Sequence, residues 1–132
     1  MLATDYTLKT VTRHSFADAV ERVRTELSKE GFGVLCDIDV RATLKAKLDV
    51  DREPYVILGA CNPRYAHEAL EAEADLGVLL PCNVVVYEHD GATTIAAIDR
   101  ERMLSIVDNN ALLPIAEQIR TRLAAVVERA AA

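Results

Sequence analysis

Two cysteine–asparagine pairs beside prolines are the residues best suited to chemistry in this chain. The segment Cys61-Asn62-Pro63 ends one apolar stretch, and the segment Pro81-Cys82-Asn83 begins another. If the two stretches form neighbouring strands, the paired side chains share one cleft at the sheet edge. That cleft would present two thiols and two amides to a ligand.

Cys61 stands immediately before a helix that Asn62 can cap and Pro63 can begin. The free amides and the dipole at a helix N-terminus stabilise an anion, including a thiolate. The position therefore predicts a lowered pKa for Cys61, which would be the more acidic partner of a nearby Cys82, provided that the site is partly open to water. Burial in apolar surroundings would raise that pKa instead. The alternative role is packing alone, which is the commoner one for cysteine.

Cys61 and Cys82 are the candidate catalytic residues, with Cys82 as a resolving or co-ligand partner. Three further residues are candidates for binding a ligand. Asn62 and Asn83 are candidate ligand-binding amides, although a helix cap and a loop tether explain them equally well. His67, on the helix after Cys61, is the third ligand-binding candidate. These residues lack the spacing of a metal site, and we expect no metal and no other cofactor.

A second pair of polar residues is Asp37 and Asp39, which stand at i and i+2. Two carboxylates on one strand face can divide the acid and base roles of a reaction. Asp39 is better explained as the cap of the following helix, and Asp37 as an exposed strand residue. The neighbouring Cys36 is predicted to face the core with Val34 and Ile38.

Composition limits the partners. The chain has 132 residues and a net charge of −6, which argues against binding to nucleic acid or to an anionic membrane surface. No secretory signal or membrane-spanning run is visible, so we expect a cytoplasmic protein with reduced thiols. The length predicts one domain over residues 1–132.

The helices are predicted from apolar periodicity and capping residues. Ser15 with Asp18 opens a helix whose apolar stripe repeats at intervals of three and four residues, and Gly31 ends it. A second helix over 40–48 should turn Leu44 and Leu48 inward. Further helices are predicted over 63–74, 100–106 and 110–127.

The strands are predicted from short β-rich runs around residues 6–11, 33–38, 55–60, 82–88 and 93–98. The pair Asp90-Gly91 predicts an antiparallel hairpin between the last two runs, while helical crossovers allow parallel pairs earlier. The fold class is therefore α+β: a single two-layer domain with a mixed five-stranded sheet and helices packed on it, in the order β-α-β-α-β-α-β-β-α-α.

Four segments resemble the family catalogued as domain of unknown function 302. They are Asp37-Ile38-Asp39-Val40, Ala42-Thr43-Leu44-Lys45, the run from Tyr55 to Pro63 and the run from Leu79 to Glu88. The resemblance covers about residues 31–103. It implies a small α+β domain, often dimeric, with no established activity. Asp49, where glycine is expected, is a departure in a loop.

Two functions of different classes follow. The first is a non-catalytic module, dimeric or binding a small ligand, which is favoured because no complete catalytic set is present. The alternative is a thiol-dependent redox or sulfur-related enzyme that uses Cys61 and Cys82. We expect a homodimer, and a small anionic ligand at the start of the helix after Asn62.

Overall fold

Six strands form one open antiparallel sheet in the computed structural model, which describes residues 1–132. Their order in the sheet is β1-β2-β6-β5-β4-β3. The bounds are β1 (Leu2–Ala3), β2 (Thr7–Thr12), β3 (Gly33–Asp39), β4 (Tyr55–Cys61), β5 (Cys82–His89) and β6 (Ala92–Ile98).

Five α-helices and two 3₁₀ turns connect and cover these strands. The helices are α1 (Phe16–Lys29), α2 (Val40–Leu48), α3 (Pro63–Ala72), α4 (Arg100–Leu104) and α5 (Leu113–Ala131). The 3₁₀ turns cover Ala74–Leu79 and Asn110–Leu112. No helix is long and apolar enough to cross a membrane.

The α+β class is correct, but the predicted five-stranded mixed sheet is wrong in strand number and in direction. The sixth strand, β1, has only two residues, too few to show an alternating pattern. The connections through α2 and α3 each join adjacent antiparallel strands, so these helices turn the chain back instead of carrying it across the sheet. The connection through α1 joins β2 to β3, which are not neighbours.

The main core lies between one face of the sheet and the helices α1 and α5. The register aligns Leu8, Ala97, Val84 and Leu58 across four strands, and all four are buried. Val23 and Leu27 of α1 belong to the same cluster. A smaller cluster joins α3, α4 and α5, and its members are Ala69, Leu76, Leu104, Leu112 and Ala116.

The local signals at Ser15, Gly31 and the Asp90-Gly91 pair are confirmed. The Ser15 side chain accepts a hydrogen bond from the Asp18 backbone N–H at 3.2 Å. Gly31 follows α1 with φ of 84°, and Asp90 and Gly91 have φ of 49° and 78° in the hairpin between β5 and β6. Two consecutive positive φ values are those of a type I′ turn, which explains the Asp-Gly pair.

Three residues at the β3 edge that were predicted to face the core are exposed: Cys36, Ile38, which is 42% exposed, and Leu48. The register of β3 shifts between Val34 and Cys36, which inserts Leu35 as a bulge and moves Cys36 to the opposite face, where it is exposed. Leu48 of α2 is 67% exposed rather than turned inward. The helix α2 lies at the sheet edge and has no buried residue.

The second face of the sheet carries an unusual set of outward side chains. Alternation from the buried positions places Tyr55 and Ile57 of β4, Val85 and Tyr87 of β5, and Ala96 of β6 on this face. The rings of Tyr55 and Tyr87 stack with their centroids 5.2 Å apart. A shallow depression of about 570 Å³ over these strands is lined only by strand residues and the neighbouring residues Thr4 and Tyr6. No helix covers this depression.

Candidate functional site

A cavity of about 280 Å³ lies where the two core clusters meet, at the adjoining ends of β4 and β5. Phe32, Ala60 and Ile119 line it from the larger cluster, and Ala69 and Leu104 from the smaller one. Of its 17 lining residues, 14 are hydrophobic. The volume is just below the range of about 300–1,000 Å³ that is typical of ligand pockets, so the space suits a small apolar molecule.

The entrance is marked by the lining residues that remain in contact with solvent. Leu35 is 69% exposed and Leu70 is 40% exposed, whereas Cys82 and Leu104 are buried. Leu35 is the bulged residue of β3, so the irregularity in that strand places an apolar side chain at the entrance. Bulges often redirect a side chain beside a functional site in this way.

Both candidate thiols line this cavity. Ala60 is the register partner of Cys82, so Cys61 follows directly after the residue that pairs with Cys82. The two cysteines therefore come from adjacent strands and border one space. Neither forms a disulfide.

Cys61 has a pKa that is shifted in the direction opposite to the prediction. Burial raises the pKa of the Cys61 thiol, and the neighbouring Cys82 raises it further, because a second negative sulfur would repel the first. Removal from water is the larger of these two causes. At neutral pH the Cys61 side chain is a neutral thiol.

Asn62 lines the same cavity and occupies the N-cap position of α3. Its side chain makes no capping hydrogen bond. Instead, Nδ2 donates to the backbone oxygen of Glu30 at 3.3 Å, which ties the start of α3 to the end of α1. The N-cap position was therefore identified correctly, but the side chain serves another contact and leaves the first amides of α3 without a side-chain cap.

The structure does not bring Asn83 and His67 to this cavity. Asn83 is exposed and pairs with Gly59 on the second face of the sheet. His67 is exposed on α3 and is not among the lining residues. Three of the five predicted site residues therefore lie together, and two do not. Asn83 points away because adjacent residues of a strand face opposite sides of the sheet. His67 lies on an exposed part of α3.

Sequence reasoning missed Arg100, the only charged residue that lines the cavity. Its side chain is 1% exposed. Nη1 donates to the Leu79 carbonyl at 2.7 Å, while Nη2 donates to the Pro81 carbonyl at 3.3 Å and to Cys82 Sγ at 3.1 Å. Nothing in the local sequence distinguishes this arginine from the exposed Arg102 two residues later.

One wall of the cavity is braced from outside. Tyr65 of α3 lines the space, and its hydroxyl accepts a hydrogen bond from Arg122 Nε at 3.3 Å. The Arg122 guanidinium also lies over the Tyr65 ring, 5.5 Å from its centroid. Arg122 Nη1 in turn lies 3.3 Å from Glu30 Oε2, with which it forms an ion pair. These contacts fix α3 against α5 and keep the wall in place.

The other polar residues do not assemble into a reactive centre. Asp39 accepts a hydrogen bond from the Ala42 backbone N–H at 2.9 Å as the cap of α2, and Asp37 forms an ion pair with Arg24. No group of three or more histidine, cysteine, aspartate or glutamate side chains is arranged to hold a metal ion. The side chains that line the cavity offer apolar contacts, two thiols, one amide, one phenol and one guanidinium.

Comparison with known proteins agrees with the resemblance found in the sequence. The family model described as "Domain of unknown function DUF302" matches residues 8–130. The chain is also similar to a solved structure described as "Crystal structure of uncharacterized conserved protein DUF302 from Bacillus stearothermophilus", with 34% identity and a TM-score of 0.88. That match covers 94% of this chain and 97% of the other. No curated protein matches.

Proposed function

This chain belongs to the family described as domain of unknown function DUF302, and on that premise we propose that it is a non-catalytic module that binds a small, largely apolar molecule. The observation that carries the proposal is the cavity between the two core clusters. Protein interiors are packed about as densely as organic crystals, and voids larger than a water molecule are few. An apolar space of about 280 Å³ with a solvent-facing entrance is therefore a natural place for a ligand.

The absence of a matched acid, base and nucleophile around this space favours binding over catalysis. No carboxylate or histidine lines the cavity. The raised pKa of Cys61 leaves little thiolate at neutral pH. A general base would need to lie within about 3.2 Å of the proton that it removes, and none of the lining side chains is suited to that task.

Thiol chemistry is the second candidate function, and one contact favours it. Arg100 Nη2 donates a hydrogen bond to Cys82 Sγ, and a cation beside a sulfur is a recurring feature of reactive cysteines. Native-state alkylation followed by intact-mass measurement distinguishes the two candidates. Rapid modification of both Cys61 and Cys82 would support the enzyme, and slow modification of both would support the binding module.

We also propose that the module is a homodimer whose copies pack through the second face of the sheet. Antiparallel sheets that face water normally alternate apolar and polar residues. On this face the outward positions of β4 and β5 instead include Tyr55, Ile57, Val85 and Tyr87. Tyrosine and aliphatic side chains of this kind are typical of interface cores, from which charged residues are depleted.

We further propose that the protein works in the cytoplasm. All three cysteines are free, and a thiol-bearing chain without a disulfide suits a reducing compartment.

The cavity proposal is tested by filling the space. Ala66 lines the cavity from α3, so Ala66→Phe should occupy much of the volume and abolish binding of a six-carbon probe such as hexanamide or hexanoate in calorimetry. His67→Phe is the matched control, because His67 is exposed on the same helix outside the cavity. Binding that survives Ala66→Phe, or that is lost equally in His67→Phe, would contradict the proposal.

A further inference from the structure

Arg100 is a buried cation without a carboxylate partner. Its side chain is 1% exposed, and none of the ion pairs in the structure includes it. The adjacent carboxylate of Asp99 is engaged by Arg120 at 3.2 Å. Burying a charge costs free energy unless an opposite charge accompanies it. An anion beside the Arg100 guanidinium would therefore be favourable, and the chain supplies none.

The hydrogen bonding of Arg100 is also incomplete. Nη1 and Nη2 donate to two backbone carbonyls and to the Cys82 sulfur. Nε is buried and has no hydrogen-bond partner. Buried donors are satisfied in the great majority of cases, so this N–H is free to bond an acceptor from outside the chain, either a water or a ligand.

A second source of positive potential faces the same space. The start of α3 contributes Asn62 and Tyr65 to the cavity lining, and the Asn62 side chain does not cap the helix. The first intrahelical bond there joins the Ala66 N–H to the Asn62 carbonyl at 2.9 Å, so the amides before Ala66 have no intrahelical acceptor. A helix N-terminus of this kind favours an anion.

We infer that the ligand of this cavity is an apolar monocarboxylate, with its charged end on the side of Arg100 and the α3 N-terminus and its hydrocarbon part along the apolar walls. The inference rests on the proposed binding function. A phosphate would bring up to two charges and three acceptor oxygens, more than one guanidinium in a largely hydrophobic cavity can match. A single carboxylate supplies one charge and accepts charge-assisted hydrogen bonds from a guanidinium.

The test compares three probes that share one hydrocarbon chain: hexanoate, hexanamide and hexylamine, each titrated calorimetrically into the full chain at pH 7.5. We expect hexanoate to bind about tenfold more tightly than hexanamide, the gain of one charge-assisted hydrogen bond over a neutral one. We expect no binding of hexylamine. Hexanamide binding as tightly as hexanoate would overturn the inference and leave the proposed function standing. Failure of all three probes to bind would overturn both.

Substitutions of Arg100 test whether this residue causes the preference for hexanoate over hexanamide. Arg100→Met should reduce the ratio of the hexanoate association constant to the hexanamide association constant toward one, while hexanamide still binds. Arg102→Met, at an exposed position of the same short helix, should leave the ratio unchanged. An unchanged ratio in Arg100→Met would overturn the inference. If that variant does not fold, the three-probe comparison on the natural chain still decides, and Arg100→Lys, which keeps the charge, should keep the preference for hexanoate.

Discussion

Arg100 donates a hydrogen bond to Cys82 Sγ at 3.1 Å, and this contact joins the start of α4 to the start of β5 beneath the cavity. The same guanidinium holds the carbonyls of Leu79 and Pro81, so it fixes the segment that leads into β5. One side chain thus both shapes the end of the cavity and supplies its only formal charge. The three hydrogen bonds offset part of the cost of burying this cation.

The first prediction concerns the reactivity of Cys61. Because burial and the neighbouring Cys82 raise its pKa, the thiolate fraction at pH 7 is smaller than that of a free thiol, whose pKa is about 8.5. Iodoacetamide labelling of a Cys36→Ser/Cys82→Ser variant should therefore be slow at pH 7 and still be rising above pH 9. The removal of Cys82 takes away one of the two causes, so burial alone must maintain the shift.

The control is the Cys61→Ser/Cys82→Ser variant, which retains only the exposed Cys36 and should label much faster at pH 7. If the labelling rate of Cys61 reached half its maximum at a pH equal to or below the free-thiol pKa of about 8.5, the field of the α3 N-terminus would prevail over burial.

The second prediction concerns Gly59, in the middle of β4. A Cβ at this position would overlap Cys36 Sγ and lie 2.9 Å from Pro81 Cγ. Gly59→Ala should therefore lower the free energy of unfolding by about 1–3 kcal/mol, the usual cost of overpacking. Chemical denaturation measures the change, and Gly77→Ala is the matched control because a Cβ there meets nothing within 4 Å.

Removing the Cys36 sulfur should restore part of the free energy of unfolding that Gly59→Ala loses. In the double variant Gly59→Ala/Cys36→Gly the sulfur is absent and only the Pro81 contact remains. A Gly59→Ala variant as stable as the natural chain would mean that Cys36 moves aside at no cost.

The third prediction concerns the oligomeric state. Ile57→Lys places a charge at the middle of the second sheet face and should convert the dimer to a monomer in sedimentation experiments at tens of micromolar protein. Val78→Lys is the control, since Val78 is 86% exposed in a 3₁₀ turn away from that face. A monomeric natural chain, or a dimer that persists in Ile57→Lys, contradicts the proposed interface.

Local sequence signals predicted the elements well, because their causes are local. The Ser15 cap, the Asp39 cap and the Asp90-Gly91 turn each depend on residues within a few positions of one another. The family resemblance was likewise identified from contiguous segments, and the family model extends it to residues 8–130.

Features that depend on distant residues were not accessible in the same way. The bulge at Leu35 redirects Cys36, and no residue type marks it in advance. Arg100 gains its role only from carbonyls and a sulfur some 20 positions earlier in the chain. The direction of the Cys61 pKa shift depends on how far the folded chain excludes water, which the helix-start pattern alone does not determine.

A ¹H–¹⁵N NMR titration of the natural chain with hexanoate shows whether the cavity beside Cys61, Cys82 and Arg100 binds a small apolar carboxylate. We expect saturable chemical-shift changes concentrated at the start of α3, around residues 61–66, at Cys82 and at Arg100. Absent shifts, or saturable shifts confined to the second sheet face around Tyr55 and Tyr87, would contradict this expectation.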